Sequence, residues 1–397
     1  MQLSTDRILT THVGSLPRPE KLVKMLGKED RGEQVDPTIL QATISEAVTK
    51  IVVEQVRAGI DIVCDGEVSK MSYHIYAKHR LKGLGNVEGT GVPGRSLPRD
   101  IQDFPDMMAE PLGGGGTELL QSAVCEGPVT YFDYTPLERD IRNLKTATEV
   151  AKPVDIFMNS ASPGCLVNYV PNTYYPGRDD YRSALVEAMR NEYNAIHKAG
   201  FILQLDCPDL AGSRHTDHQD WSEKQFLTEV EKSIEALNEA TSEIPPNAMR
   251  LHICWLNYAG PHTHDIPVSK LIKLLCSARP QALLFEGANP RHEHEWEDWG
   301  AAKMQPGPRE NTTIAVVATD IALTPAQAKR LAIMAQDGLA RAIRQLAEAT
   351  APPVGKICLR AGNDGVLVIA ESDGGTVRGG AAADISEGRF LPIIYTP

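Results

Sequence analysis

The chain has no excess of basic residues. Its 397 residues carry 40 Lys and Arg against 52 Asp and Glu, for a formal net charge of -12 and a pI near 5.4. No basic stretch offsets this balance, which repels polyanions and argues against a nucleic-acid or membrane partner. No uninterrupted apolar run approaches the roughly 18 residues of a spanning helix. The opening Met1-Gln-Leu-Ser-Thr-Asp-Arg7 lacks the apolar core of a secretory signal. The seven cysteines (64, 125, 165, 207, 254, 276 and 358) are odd in number and have no tight spacing. That pattern points to a reducing compartment rather than a disulfide framework. The expectation is a cytoplasmic enzyme acting on small molecules. No G-x-G-x-x-G follows the first apolar segment and no phosphate loop occurs, which removes the main grounds for an open dinucleotide-binding sheet.

With 42% hydrophobic residues, the chain can bury a large core. Short apolar segments at 8–13, 60–64, 129–132, 155–158, 201–205, 250–254 and 283–285 read as strands. Longer helical patterns at 37–58, 136–150, 181–199, 222–240 and 268–278 separate most of them. This alternation is the form of repeated βα units and a parallel sheet. Polar or reactive residues recur just past the strand ends: His12 and Ser15, Asp65 and Glu67, Asn159, Asp206, His252 and Cys254, then Glu286. A (β/α)8 TIM barrel explains this placement, because its active site is built at the C-terminal ends of its strands. The Pro/Gly-rich stretch 85–116 reads as a mobile loop or a plain linker.

The densest chemistry lies in Met249-Arg-Leu-His-Ile-Cys-Trp255. On a strand, His252 and Cys254 point the same way and offer an imidazole and a thiolate. The next apolar run delivers Glu286 as a third ligand, which makes a zinc site the leading expectation. A buried cysteine beside a hydrogen-bonded histidine is the alternative.

Five segments together resemble the catalytic barrel of the cobalamin-independent methionine synthase family: Thr10-Thr-His-Val-Gly-Ser-Leu-Pro-Arg-Pro19, Asp65-Gly-Glu67, Leu203-Gln-Leu-Asp-Cys-Pro-Asp-Leu210, His252-Ile-Cys254 and Phe285-Glu-Gly-Ala-Asn-Pro-Arg-His-Glu-His-Glu-Trp296. They run in family order over about residues 5–300. The shorter single-barrel branch, which includes the epoxyalkane:coenzyme M transferases, is the nearer likeness. The resemblance implies a zinc enzyme that holds a small-molecule thiol as thiolate for attack on a methyl or alkyl donor. It implies His252, Cys254 and Glu286 as zinc ligands. Ser15 and Glu67 stand where the synthases hold the amino-acid thiol, and Asp206 where they hold its ammonium group.

The leaving group then needs a proton, for which His12, His262 and His264 are candidate acids. Plainer readings stand beside these roles. His262 and His264 fit an ordinary loop, Asp206 and Asp209 fit helix caps, and Glu67 fits a pair with Arg80. His292 and His294 sit in an acidic run that reads as a solvated helix start rather than a second metal site.

After about residue 299 the pattern changes. The family places a further zinc-binding cysteine in an Asp-Cys-Gly segment, and this chain has none. Residues 310–343, including Asn311-Thr312, resemble instead a fragment of the self-processing aminopeptidases related to the D-esterase peptidases. The expected organisation is a barrel over 1–304, an atypical segment over 305–373 that completes it, and a flexible tail over 374–397. Within the second part, 313–319, 356–360 and 366–370 read as strands and 325–350 as an amphipathic helix. Cys358 is either a replacement zinc ligand or a packed core residue. The alternative to a thiol transferase is an inactive barrel remnant, or a chimera with an incomplete metal site.

Overall fold

The computed structural model describes residues 1–4, 7, 9–70, 72, 75–86, 99–105, 123–256, 261–286, 291–295 and 298, with the backbone of 357–362 and 365–370. The segments expected at 313–319, 325–350 and 374–397, the Asn311-Thr312 pair and most of 85–116 lie outside these residues.

Helices α1 (Glu20–Asp30) and α2 (Pro37–Arg57) lead into β1 (Ile62–Val63), followed by β2 (Leu81–Asn86), the short α3 (Arg99–Asp103) and β3 (Ala123–Tyr131). Then come α4 (Thr135–Ala151), β4 (Asp155–Ala161), α5 (Pro163–Tyr169), α6 (Arg178–Lys198) and β5 (Ile202–Asp206). The series continues with α7 (Glu223–Ala240), β6 (Met249–His252), α8 (Val268–Leu275) and β7 (Ala282–Leu284). Local signals set the helix limits. The Asp36 carboxylate accepts from the Thr38 and Ile39 amides ahead of Pro37, and Gly59 leaves the helix at φ 88°. Leu40, Ile44, Val48 and Val52 form one buried stripe, each worth about 1.5–3 kcal/mol of burial. Ser222 and Gln225 close a capping box at the start of α7. Among the described residues, no helix is long and apolar enough to cross a membrane.

Strands β1, β4, β5, β6 and β7 form one sheet in that order, all parallel, and Thr11 bridges to Ile62 on the far side of β1. The sheet is strongly curled. Four inter-strand spacings would hold Thr11 about 19 Å from β6 in a flat sheet. Yet Arg250 on β6 donates to Thr11 Oγ1 and to the His12 carbonyl, both at 3.0 Å. This is the (β/α)8 architecture seen as a half-barrel. One small apolar cluster, Leu9, Ile62, Cys64, Phe157 and Ile202, fills its inner floor. The opposite residues of the same strands, among them Val63, Met158, Leu203, Leu205 and Leu251, join the large core shared with the helices.

The segment expected as a barrel strand at 129–132 belongs elsewhere. It ends β3, which pairs antiparallel with β2 in a separate ribbon. Ala123, Cys125 and Val129 of β3 are buried, while Glu126 and Thr130 are exposed. That alternation suits a half-buried antiparallel ribbon better than a barrel strand covered on both faces. The segments expected as strands near the C-terminus are strands, β8 (Ile357–Gly362) and β9 (Gly365–Ala370). They pair antiparallel with each other, with Cys358 in register with Ile369; the Cys358 side chain lies outside what is described.

Candidate active site at the strand ends

Parallel register carries the inner row of side chains upward. Asn159 pairs with Gln204 and Ala161 with Asp206 across β4 and β5. Gln204 pairs with Arg250 and Asp206 with His252 across β5 and β6. Asp206 is the hub of this rim. Its Oδ1 faces His252 Nδ1 at 3.1 Å and accepts from Gln204 Nε2 at 2.8 Å. Its Oδ2 accepts from Asn159 Nδ2 at 3.0 Å. Asp206 therefore does not act as a helix cap.

Glu67 comes to the same rim. It is a non-glycine residue at φ 53°, and the Arg18 guanidinium holds its carbonyl at 2.9 Å. Burial and the Asp206 carboxylate push the Glu67 carboxyl up to about 7, against the pull of Lys70. The pairing of Glu67 with Arg80 does not occur, because Arg80 makes a two-pronged ion pair with Glu192. Ser15 lies exposed one residue beyond Gly14, whose backbone presses on the rim at φ 141°. A Cβ at Gly14 would stand 2.5 Å from Asn159 Nδ2 and 2.6 Å from Glu67 Oε1. Gly14→Ala is therefore expected to lower stability by about 1–3 kcal/mol, measurable by urea denaturation. A variant as stable as the wild type would remove the close approach.

His252, Cys254 and Glu286 occupy the neighbouring ends of β6 and β7. His252 pairs with Leu284, Cys254 and Glu286 each follow two residues later, and the Glu286 carboxylate is close enough to act on the Cys254 thiol. Cys254 and Glu286 are buried, and His252 keeps 14% of its side chain exposed. Burial first, then the Glu286 carboxylate, hold the Cys254 thiol well above its ordinary range. The donor set fits a zinc ion. The imidazole has Nδ1 engaged by a carboxylate, which leaves Nε2 for a metal. The buried thiol sits where it does not ionise easily without a cation beside it.

The candidate acids lie in different settings. His12 is buried, with Nε2 2.7 Å from Gln55 Oε1 and Nδ1 accepting from the Gly14 amide at 3.2 Å. Burial lowers it to about 4, against the Gln55 hydrogen bond. His264 Nε2 meets Asp103 on α3. His262 Nδ1 lies 2.8 Å from Asp265 Oδ2.

His262 also belongs to a cluster the sequence did not reveal. Among the described residues, His262, Asp265 and His292 form a group whose ligand atoms all lie within 4.8 Å of one another. His292 is not on a solvated helix start. It is 4% exposed, lies flat on Trp255 with ring centroids 4.0 Å apart, and bonds Asp265 and Glu295. His294 is exposed. Against the opposing effect of burial, hydrogen bonds from His215, His262 and His292 hold Asp265 well below the usual carboxylate range. Against the same effect, hydrogen bonds to Asp265 and Glu295 push His292 up to about 9. Asn159, Gln204 and Arg18 are further rim residues. For Asn159 alone the sequence offered a signal, a polar side chain just past a strand core.

Comparison with known proteins agrees with the family resemblance. The methionine synthase of Saccharolobus islandicus (strain Y.G.57.14 / Yellowstone #1) is 24% identical over 265 residues, covering 66% of this chain and 68% of that protein. The methionine synthase of Saccharolobus solfataricus is 25% identical over 268 residues, again 66% and 68%. That of Pyrococcus horikoshii is 24% identical over 252 residues, 63% and 62%. The structure of a B12-independent methionine synthase from Shewanella sp. W3-18-1, in complex with selenomethionine, superposes with a TM-score of 0.58 at 18% identity. It covers 85% of this chain and 87% of that one, a likeness of fold. Residues 259–351 match the family model of Peptidase family S58. That match contains the 310–343 resemblance and begins earlier, before β7.

Proposed function

We propose that the protein is a zinc-dependent transferase that moves a methyl or alkyl group onto a small-molecule thiol, with methionine-synthase-type methyl transfer to homocysteine as the leading reaction and epoxide capture by a thiol as its variant. His252, Cys254 and Glu286 are the zinc ligands in this reading, and Cys358 or the substrate thiol supplies the fourth. One observation carries it: an imidazole oriented by Asp206 shares a strand-end rim with a buried thiol and a buried carboxylate, in a chain matched over 66% of its length by methionine synthases.

Bound zinc supplies a Lewis acid that keeps a thiol of ordinary pKa near roughly 8.5 as thiolate at neutral pH. The chain's own groups do the rest. Asp206 fixes the His252 tautomer and, with one donor on Oδ2, retains a lone pair there for a substrate ammonium. Glu67 lies close to the same carboxylate, and Ser15 follows Gly14, whose backbone meets Glu67 and Asn159; in this reading both hold the amino-acid thiol. Among the candidate acids, His264 has 32% of its side chain exposed, against the buried rings of His12 and His262.

The test is cobalt substitution with an assay of methyl transfer to homocysteine. The wild type is expected to show a thiolate-to-cobalt charge-transfer band and thiol alkylation, and Cys254→Ser to lose both, with activity falling at least about a hundredfold. A wild-type protein with no thiolate-bound metal after supplementation would leave a barrel remnant without this chemistry.

A further inference from the structure

Asp265 gathers three imidazoles around one carboxylate. Its Oδ2 lies 2.8 Å from His262 Nδ1 and 2.9 Å from His292 Nε2, and its Oδ1 lies 2.8 Å from His215 Nδ1. His262 and His292 are 8% and 4% exposed. His262 adopts φ 58°, a costly conformation for a non-glycine residue, held where its ring meets Asp265. We propose that His262, Asp265 and His292 form a second divalent-metal site, separate from the thiol site and built for a borderline transition ion such as Zn2+, Co2+ or Fe2+.

Two imidazoles and one carboxylate are the donor set such ions take, whereas Mg2+ and Ca2+ prefer all-oxygen surroundings. The supporting shell is also present. His292 Nδ1 lies 3.1 Å from Glu295 Oε2, so a carboxylate fixes the ring with Nε2 turned to Asp265, as in carboxylate–histidine–metal arrangements. Glu295 is itself anchored, because its Oε1 accepts from the Val268 amide at the start of α8 at 2.7 Å. Trp255 covers one face of His292 and donates from Nε1 to the Ile266 carbonyl at 2.9 Å. Trp255 is the neighbour of Cys254 in the chain, so an ion here would tie the loop after β6 to the segment after β7.

The inference does not depend on the proposed activity, and its test separates the two. Full-length, tag-free Cys254→Ser protein is dialysed against Co2+ or Zn2+. It should retain about one equivalent, with a cobalt spectrum of nitrogen and oxygen ligation and no thiolate band. Adding His262→Gln and His292→Gln should remove that equivalent, while His264→Gln, whose ring meets Asp103 outside the cluster, should leave it bound. Cys254→Ser protein that binds no metal overturns the site. So does a folded triple variant that keeps it. If the triple variant does not fold, X-ray absorption of the Cys254→Ser protein decides: a first shell with two imidazoles and a carboxylate supports the site, and a shell with one imidazole or none overturns it. A nitrogen- and oxygen-bound ion without alkyl transfer by the wild type would sustain this inference while removing the proposed function.

Discussion

Arg80→Ala is expected to destabilise the protein by about 3–5 kcal/mol, the largest single-residue effect on folding foreseen here. Arg80 and Glu192 are buried, with side chains 3% and 4% exposed. The guanidinium donates from Nε to Glu192 Oε2 at 2.8 Å and from Nη2 to Oε1 at 3.1 Å. The Glu192 carboxylate also accepts from Ser160 at 2.7 Å and Tyr131 at 3.2 Å. One buried carboxylate thus joins the β2–β3 ribbon, β4 and α6. Without the arginine, an uncompensated charge remains in a dry site, and desolvation outweighs the remaining neutral hydrogen bonds. Removing both charges in Arg80→Met/Glu192→Leu should recover much of the loss, since an apolar pair leaves no buried ion behind. Urea denaturation with a fitted slope measures both. A loss under about 1 kcal/mol in Arg80→Ala would mean that the pair is solvated.

Among residues that do not bind the metal directly, Asp206→Ala carries the largest expected effect on the proposed site, a fall in zinc affinity of about 10–100-fold. The carboxylate is the partner of His252 Nδ1, and without it the ring is free to turn or to change tautomer. Gln204 and Asn159 lose an acceptor as well, at about 1–3 kcal/mol of stability. Asp206→Asn keeps one acceptor oxygen and should fall between Asp206→Ala and the wild type. Chelator competition reads the affinity, and the KM for an amino-acid thiol reads the second role proposed for Asp206. Unchanged zinc affinity with a raised KM would assign Asp206 to the substrate alone; unchanged values of both would remove it from the site.

Much of the barrel is legible because its signals are local. The helix expected over 37–58 is observed at Pro37–Arg57, since Asp36, Pro37 and Gly59 mark its ends within a few residues of chain. The strand cores ending at Asn159, Asp206 and His252 follow from short apolar runs, and a barrel necessarily turns those ends towards one rim. The segment at 129–132 misled for the opposite reason: β3 is paired by β2, some forty residues earlier.

What the amino-acid sequence determined by itself was most of the alternation of strands and helices, the barrel class, and the run of polar residues that follow the strand cores, among them Asp206 and His252. The tertiary structure alone decided which buried charges meet. Arg80 finds Glu192 rather than Glu67 across 112 positions, and Arg250 reaches Thr11 across 239. His292, in an acidic run that reads as solvated, is drawn inward by Asp265, Glu295 and Trp255. Periodicity along the chain records which face an element buries. The partner of a buried polar group depends instead on how the sheet curls and which loops close over its end, and no local pattern encodes that.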